Sequence, residues 1–401
     1  MMKIEDNGGA IPFHRASLGE EEIRAVTEVI RSGWLTTGPR TAAFEHGFAE
    51  YVGARHAIAV CSGTAALHLA LIAAGIRAGD EVVVPANTFT ATAEAVGYTG
   101  ARPVFADIDP ITMNLDPEDL ARRITPKTRA VIPVHLGGLP CDMDAIRAIA
   151  CRHSLHVIED AAHALPAVYK SRRIGAVSEF TCFSFYATKP LATGEGGMIT
   201  TNNGIAAKRM RTMRLHGISR QAWRGQGTGE SWAYDIVDAG FKYNFTDLQA
   251  AIGSVQLGKS DVMCDARRTI AGRYSDAFRS ESALEVSAEP AECRSSWHLY
   301  ILRLRLDRLE VDRDNFMKRL REKGIGCSVH FIPLHFHSYY QRRYGYQRGD
   351  FPRAEGEYRR CISLPIYPDL TNEQVARVIS AVLETARECR RAKARAAHAS
   401  A

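Results

Sequence analysis

The stretch from Glu179 to Met198 reads Glu-Phe-Thr-Cys-Phe-Ser-Phe-Tyr-Ala-Thr-Lys-Pro-Leu-Ala-Thr-Gly-Glu-Gly-Gly-Met. It opens as an aromatic and β-branched run with no helical period, the pattern of a buried strand. The run stops at Thr188-Lys189-Pro190, a glycine-rich turn follows, and a second apolar run covers Met198 to Thr201. A lysine stem held in low-dielectric surroundings favours the neutral amine, a nucleophile near neutral pH. The competing reading of Lys189 is a strand-end lysine that reaches back to water.

Other strand ends add to this chemistry. Ile58–Val60 runs through Cys61-Ser62-Gly63-Thr64 into a helical stretch, Ala65 to Ile72. Free backbone N–H groups at such a junction suit a phosphate: Gly63 allows close approach, and Thr64 offers a hydroxyl. Thr64 could equally cap its own helix. Asp160 follows the apolar run Leu155 to Ile158. It either caps a following helix or waits, buried, for a cation brought by a ligand. Phe89 lies in the loop Asn87-Thr88-Phe89-Thr90, and Ser184 lies in the apolar run before Lys189. Together these are the parts of a pyridoxal phosphate site: a lysine for the aldehyde, an acid for the ring nitrogen, a helix start for the phosphate and an aromatic ring to stack.

Two formal matches lead elsewhere. Gly253-Ser-Val-Gln-Leu-Gly258-Lys259-Ser260 fits a nucleotide-binding P-loop, but Leu248, Ala251, Ile252 and Val255 place it inside a helical pattern. A P-loop must follow a strand, so the match is rejected. His330, His335 and His337 cluster, yet no carboxylate or cysteine sits at metal-ligand spacing, so substrate contact or surface histidines are expected and no metal.

The elements that must hold these ends alternate between strand and helix. An irregular arm over residues 1–19 precedes a helix to Ile30, a turn-rich loop carrying Trp34, and a helix from Thr41 to Tyr51. Strands are expected at Glu81–Pro85, Arg102–Asp107 and Thr128–His135, and helices at Ala91–Thr99, Pro117–Arg123 and Met143–His153. A helix from Ile205 to Leu215 and a polar loop over Gly217–Gly240 follow. Short alternation of this kind argues a mainly parallel α/β sheet, with ligands beyond the strands' carboxyl ends. A long helix from Leu248 into the 270s bridges to a second unit. That unit should hold a half-buried strand at His298–Leu306, a helix at Asp314–Lys323, a strand at Ile325–His330 and a final helix at Asn372–Arg387. The division is placed at 1–258 for the arm and large domain, 259–390 for the small domain and 391–401 for a basic tail.

The chain has 401 residues, a natural length for two domains. Its net charge of +6 is concentrated near Arg387 to Arg395, read as a solvated helix end rather than a nucleic-acid surface. Nine scattered cysteines without a C-x-x-C pair suit a reduced, cytoplasmic protein. Met1–His14 has no apolar core of a signal peptide, and no apolar run is long enough to span a bilayer.

The chain resembles the DegT/DnrJ/EryC1/StrS family of sugar-nucleotide aminotransferases, pyridoxal-phosphate enzymes of fold type I. The resemblance rests on Ser32-Gly-Trp-Leu-Thr-Thr-Gly-Pro39, Ser62-Gly-Thr-Ala-Ala-Leu67, Ile132-Pro-Val-His-Leu136, Val157-Ile-Glu-Asp-Ala-Ala-His163, Phe183-Ser-Phe-Tyr-Ala-Thr-Lys189 and Gly194-Glu-Gly-Gly197. His216-Gly217, Ser328-Val-His330 and Ser363-Leu-Pro-Ile-Tyr-Pro368 continue it in order. Within the family, His163, the Lys242-Tyr-Asn244 segment and the Trp34 loop are most similar to the UDP-4-amino-4-deoxy-L-arabinose aminotransferases, while Tyr186, Thr188 and Pro190 depart from them. The resemblance implies a large, mainly parallel seven-stranded domain, a smaller C-terminal α/β domain, and a homodimer with shared active sites. It implies that Lys189 is the Schiff-base lysine and proton carrier and that Asp160 holds the pyridine nitrogen. Thr64, Ala65 and Ser184 would bind the phosphate, Phe89 would stack on the ring, and His163 would lie beside it. Lys242 or Asn244 would reach the neighbouring subunit's phosphate, and Trp34, Tyr186 and His330 would face substrate. The implied partners are L-glutamate and a keto sugar nucleotide. Related dehydratases carry histidine in place of the lysine.

Overall fold

The valine-rich runs of the sequence form the centre of the molecule. In the computed structural model, which describes residues 9–218 and 234–391, they build one seven-stranded sheet. Its members are β1 (His56–Val60), β2 (Glu81–Pro85), β3 (Arg102–Ala106), β4 (Thr128–Val131) and β5 (His156–Asp160). After a short hairpin, β6 (Val168–Tyr169) with β7 (Arg172–Arg173), come β8 (Phe180–Ser184) and β9 (Gly197–Thr201). The order is β1-β9-β8-β5-β4-β2-β3. The strands from β3 to β8 run parallel, and β9 is antiparallel to both its neighbours. This is the mainly parallel α/β sheet expected from the alternation.

Both sheet faces are buried, which explains why the strands read as continuous apolar runs. Val82 and Val84 point into one core with Leu67, Leu71 and Met210, while Val83 points into another with Phe44, Phe48 and Ile146. Helix α3 (Gly63–Ala73) packs in the first core with α4 (Thr90–Tyr98) and α7 (Gly204–Met213). Its residues 65–71 are all buried, so its sequence is apolar all round except for His68, whose Nδ1 lies 3.2 Å from the Tyr243 hydroxyl.

The long helix α8 (Asp247–Phe278) starts with a capping box between Thr246 and Gln249. It carries the core contact of Gly253 with Phe44 and then the small-domain contacts of Ile270, Tyr274 and Phe278. The P-loop-like residues lie within it, as their helical spacing implied, and the boundary at 258/259 falls inside this continuous helix. Beyond it, β10 (Leu284–Glu285), β12 (Tyr300–Leu304) and β13 (Cys361–Leu364) form a three-stranded sheet, and β11 (Cys293–Arg294) joins the β6–β7 hairpin. Helices α9 (Arg313–Glu322) and α12 (Asn372–Glu388) pack in the same core.

Three expectations are corrected. The strand expected at Thr128–His135 stops at Val131: Pro133 has no N–H for the ladder, and Asn114 Oδ1 takes the Leu136 N–H at 3.0 Å. No strand forms over Ile325–His330; single bridges join Ile325 to Ile11 and Ser328 to Ser363. β12 is buried along its whole length rather than half-buried, because Arg303 is paired with Glu285 at 3.0 Å and donates to Pro110 O at 2.7 Å. Of the expected polar loop Gly217–Gly240, residues 219–233 lie outside the described residues, as do 1–8 of the arm and 392–401 of the tail.

Helix α2 (Pro39–Val52) borrows its cap from α8. Buried Asp247 accepts from the Gly38, Arg40 and Thr41 N–H groups at 2.8, 3.0 and 2.9 Å, and from the Thr41 hydroxyl at 2.7 Å. An anion at a helix start satisfies free donors and complements the dipole. Asp247→Ala should therefore lower stability by about 2–3 kcal/mol. A chemical denaturation midpoint equal to the parent's would show that water replaces the carboxylate.

Candidate active site

The β8–β9 connection folds back on itself, and this fold-back positions the lysine. Phe185 N–H donates to Gly196 O at 2.8 Å, Thr193 N–H to Phe185 O at 2.9 Å and Lys189 N–H to Tyr186 O at 2.8 Å. Lys189 is thus five residues past the end of β8, in a turn, and not at a strand end as the sequence suggested; the strand pairing stops at Ser184 with Gly197. The turn carries the amine into a cavity of about 430 Å³ at the carboxyl ends of β1, β5 and β8. Burial lowers the Lys189 pKa to about 8, and the Asp160 charge opposes the shift.

Asp160 ends β5 and is buried on the same cavity wall. No helix follows it, so it is not a helix cap. Its carboxylate accepts from the Thr92 hydroxyl at 2.8 Å and from the Ala162 N–H at 3.1 Å. Thr92 is itself 2.8 Å from the Thr88 hydroxyl. Burial still raises the carboxyl pKa above its ordinary value, with the hydrogen bonds and Lys189 opposing. A buried acid in this state gains from a cation supplied by a ligand.

Close approach shapes the third part. A Cβ on Gly63 would lie 2.9 Å from Ser184 Cβ, and one on Gly197 would lie 2.4 Å from Ser62 O. The start of α3 therefore sits tight against the ends of β8 and β9. The cap is Ser62, whose hydroxyl accepts the Ala65 N–H at 3.0 Å; Thr64 is not the cap and lines the cavity.

Of the sequence-derived residues, Lys189, Asp160, Thr64, Phe89, His163, Ser184, Tyr186 and His330 line this one cavity. Phe89 is exposed and stands 5.9 Å from the Phe331 ring. His163 Nδ1 accepts the Gly137 N–H at 3.2 Å, so its proton is on Nε2; burial holds its pKa well below the ordinary value. His330 is pushed down to about 4 by burial and by Lys189. Ala65, Trp34, Lys242 and Asn244 are not on the cavity wall of this chain. Ala65 is buried beneath it, Trp34 donates to Thr37 O at 3.2 Å, and Lys242 donates to Asn244 Oδ1 at 2.6 Å. His335 is not a surface histidine, because it is buried against Glu355 at 3.0 Å; His337 is exposed. Among the described residues no group of side chains is arranged to hold a metal.

Sequence reasoning missed Phe13, His14, Thr88, Thr92, His298, Phe331 and Glu195, all at the cavity or touching Asp160. The spacing of Thr88 and Thr92, one helical turn apart at a strand–helix junction, was a readable signal. For His14 and His298 no local signal exists.

The sequence profile of the DegT/DnrJ/EryC1/StrS aminotransferase family matches residues 16–383. The spore coat polysaccharide biosynthesis protein SpsC of Bacillus subtilis is 48% identical over 380 residues, covering 94% of this chain and 98% of its own. An uncharacterized protein of Methanocaldococcus jannaschii is 46% identical over 380 residues, covering 95% of this chain and 98% of its own. A proposed sugar aminotransferase of Streptococcus pneumoniae, solved in a pyridoxal phosphate form, superposes with a TM-score of 0.89 at 32% identity, covering 94% of this chain and 99% of its own.

The cofactor is pyridoxal phosphate, and the residues fit it. Lys189 supplies the amine, Asp160 a buried acid short of a cation, and the cradle at Ser62–Thr64 a close backbone approach. If burial keeps the Lys189 amine ready, capture of the cofactor aldehyde by the apoprotein should quicken with pH and level off above about 8. Stopped-flow absorbance would follow this; a rate still climbing toward the ordinary lysine range would show that burial does not free the amine.

Proposed function

The chain belongs to the DegT/DnrJ/EryC1/StrS aminotransferase family, and on that premise we propose that it moves an amino group from L-glutamate to a keto sugar nucleotide in two half-reactions. The observation that carries this reading is the shared cavity: a lysine with a pKa lowered to about 8, a buried aspartate, and the Ser62–Thr64 start of α3 on one wall. Pyridoxal phosphate, when bound, supplies an aldehyde that carries the amino group and a ring that takes up electrons from the substrate carbon.

The chain's own residues do the rest. The neutral Lys189 amine takes the proton from the amino-bearing carbon and, as ammonium, returns it. A pKa close to neutrality lets one group do both. Asp160, held by Thr92 and Ala162, keeps the proton on the ring nitrogen. Ser184, Thr64 and the first N–H groups of α3 hold the phosphate; the Ala65 N–H is already spent on Ser62. Phe89 covers a ring face, and His163 presents its Nε2–H beside it. Tyr186 and His330 face the substrate.

The functional unit is a homodimer. Supporting this, Ile23, Ile30, Trp34 and Leu35 are exposed, and Lys242 and Asn244 do not line their own cavity. Trp34 and the Lys242–Asn244 segment serve the partner's site, with either Lys242 or Asn244 on its phosphate. The enzyme works in the cytoplasm, and no helix among the described residues is long and apolar enough to cross a membrane. The acceptor is a 4-keto nucleotide sugar destined for a polysaccharide, a reading supported by the 48% identity to SpsC.

The test is spectroscopic. Glutamate should bleach the visible cofactor band, and a keto sugar nucleotide should restore it with an aminated product seen by mass. Lys189→Ala should abolish turnover, and Asp160→Asn should lower it by about 10²–10³-fold. A band indifferent to glutamate would remove the donor assignment, and an unchanged rate in Lys189→Ala would remove the scheme.

A further inference from the structure

We propose that His14 is a specificity-determining residue for the sugar substrate, its Nδ1 accepting a hydrogen bond from a sugar hydroxyl. This rests on the reading of a keto sugar nucleotide as acceptor.

The arm that carries His14 is anchored on both sides. Ile11 N–H donates to Gly324 O and Gly326 N–H to Ile11 O, each at 2.8 Å. The Ser17 hydroxyl donates to Asp369 at 3.0 Å, and Gln256 donates to Ser17 O at 2.9 Å. Between these anchors Phe13 and His14 enter the cavity wall. Phe13 stacks on His330 with ring centroids 5.5 Å apart and planes 24° apart, so the arm also braces a second imidazole of the site.

The ring of His14 has one chemical role left open. Its Nε2 lies 3.2 Å from Ala187 O, two residues before Lys189. A carbonyl can only accept, so the proton is on Nε2 and Nδ1 carries a lone pair. No donor among the described residues engages Nδ1. Burial, with the cations Arg267 and Lys189 nearby, holds the ring neutral, its pKa down at about 4. Nδ1 therefore keeps its lone pair near neutral pH. The two substrates take turns in one cavity. Glutamate's carboxylates offer no proton to a lone pair, and its one donor, the amino nitrogen, is the group it delivers to the cofactor. A sugar brings hydroxyls, which do offer one. An acceptor-only group at this wall thus favours the sugar over the amino donor.

The experiment measures KM for both substrates with the cofactor-loaded enzyme and its His14→Ala, His14→Phe and His14→Asn variants. The visible cofactor band reports that each variant is loaded and folded. Ala and Phe should raise KM for the keto sugar nucleotide about tenfold more than KM for glutamate, as expected for one lost hydrogen bond. Asn, which keeps an acceptor near the Nδ1 position, should recover much of the loss. Equal rises in both KM values, or none, would overturn the inference and leave the aminotransferase reading standing. A wild-type enzyme that aminates no keto sugar nucleotide would overturn both.

Discussion

The structure is organised around one electrostatic constraint, the placement of an amine and a carboxylate in the same low-dielectric cavity. Burial pushes Lys189 down and Asp160 up, so each is driven toward its neutral form, while their mutual attraction opposes both shifts. Neither charge is fully compensated within the protein. A ligand with a reactive aldehyde and a protonatable ring satisfies both groups at once. Buried charges of this kind cost stability, and they persist where the site uses them.

The sheet topology makes this arrangement geometrically cheap. Asp160 ends a parallel strand, β5, whose neighbour β8 runs the same way and stops at the same sheet end. The antiparallel step from β8 to β9 then forces a reversal at that end, and Lys189 rides on the reversal. The cradle is made where β9 also borders β1 and the start of α3, at Gly63 and Gly197. The three chemical parts come together because β9 is the one strand of the seven-stranded sheet that runs against the other six.

Much of this was legible in the chain. The bounds of Glu81–Pro85 and of Pro117–Arg123 follow from local signals: a valine run ended by proline, and a proline after a capping aspartate. The cavity residues at strand ends were legible for the same reason. What failed was tertiary. The run Thr128–His135 looks like strand throughout, but past Val131 it keeps only a single bridge of Val134 to Asp160, because Pro133 has no N–H and the Asn114 side chain takes the Leu136 N–H. Arg303 looks like a solvent-facing residue, but distant partners bury it. His14 meets Ala187 across 173 residues, and nothing near it in sequence announces that contact.

The histidines sharpen the division of labour in the cavity. His14, His163, His298 and His330 all line it, and burial is the first cause that lowers each of their pKa values. His14 and His330 fall to about 4, while Lys189 falls only to about 8. Between pH 5 and 8 the imidazoles therefore stay neutral, and the lysine is the group of this set whose proton is in play. Lys189 contributes to that outcome, because its charge disfavours protonation of each of the four rings. The neutral rings act as shape and as hydrogen-bond partners of fixed polarity: an Nε2–H donor at His163 and an Nδ1 acceptor at His14. A wall of fixed polarity can sort substrates while a single amine moves protons, so recognition and proton transfer are carried by different residues of one cavity.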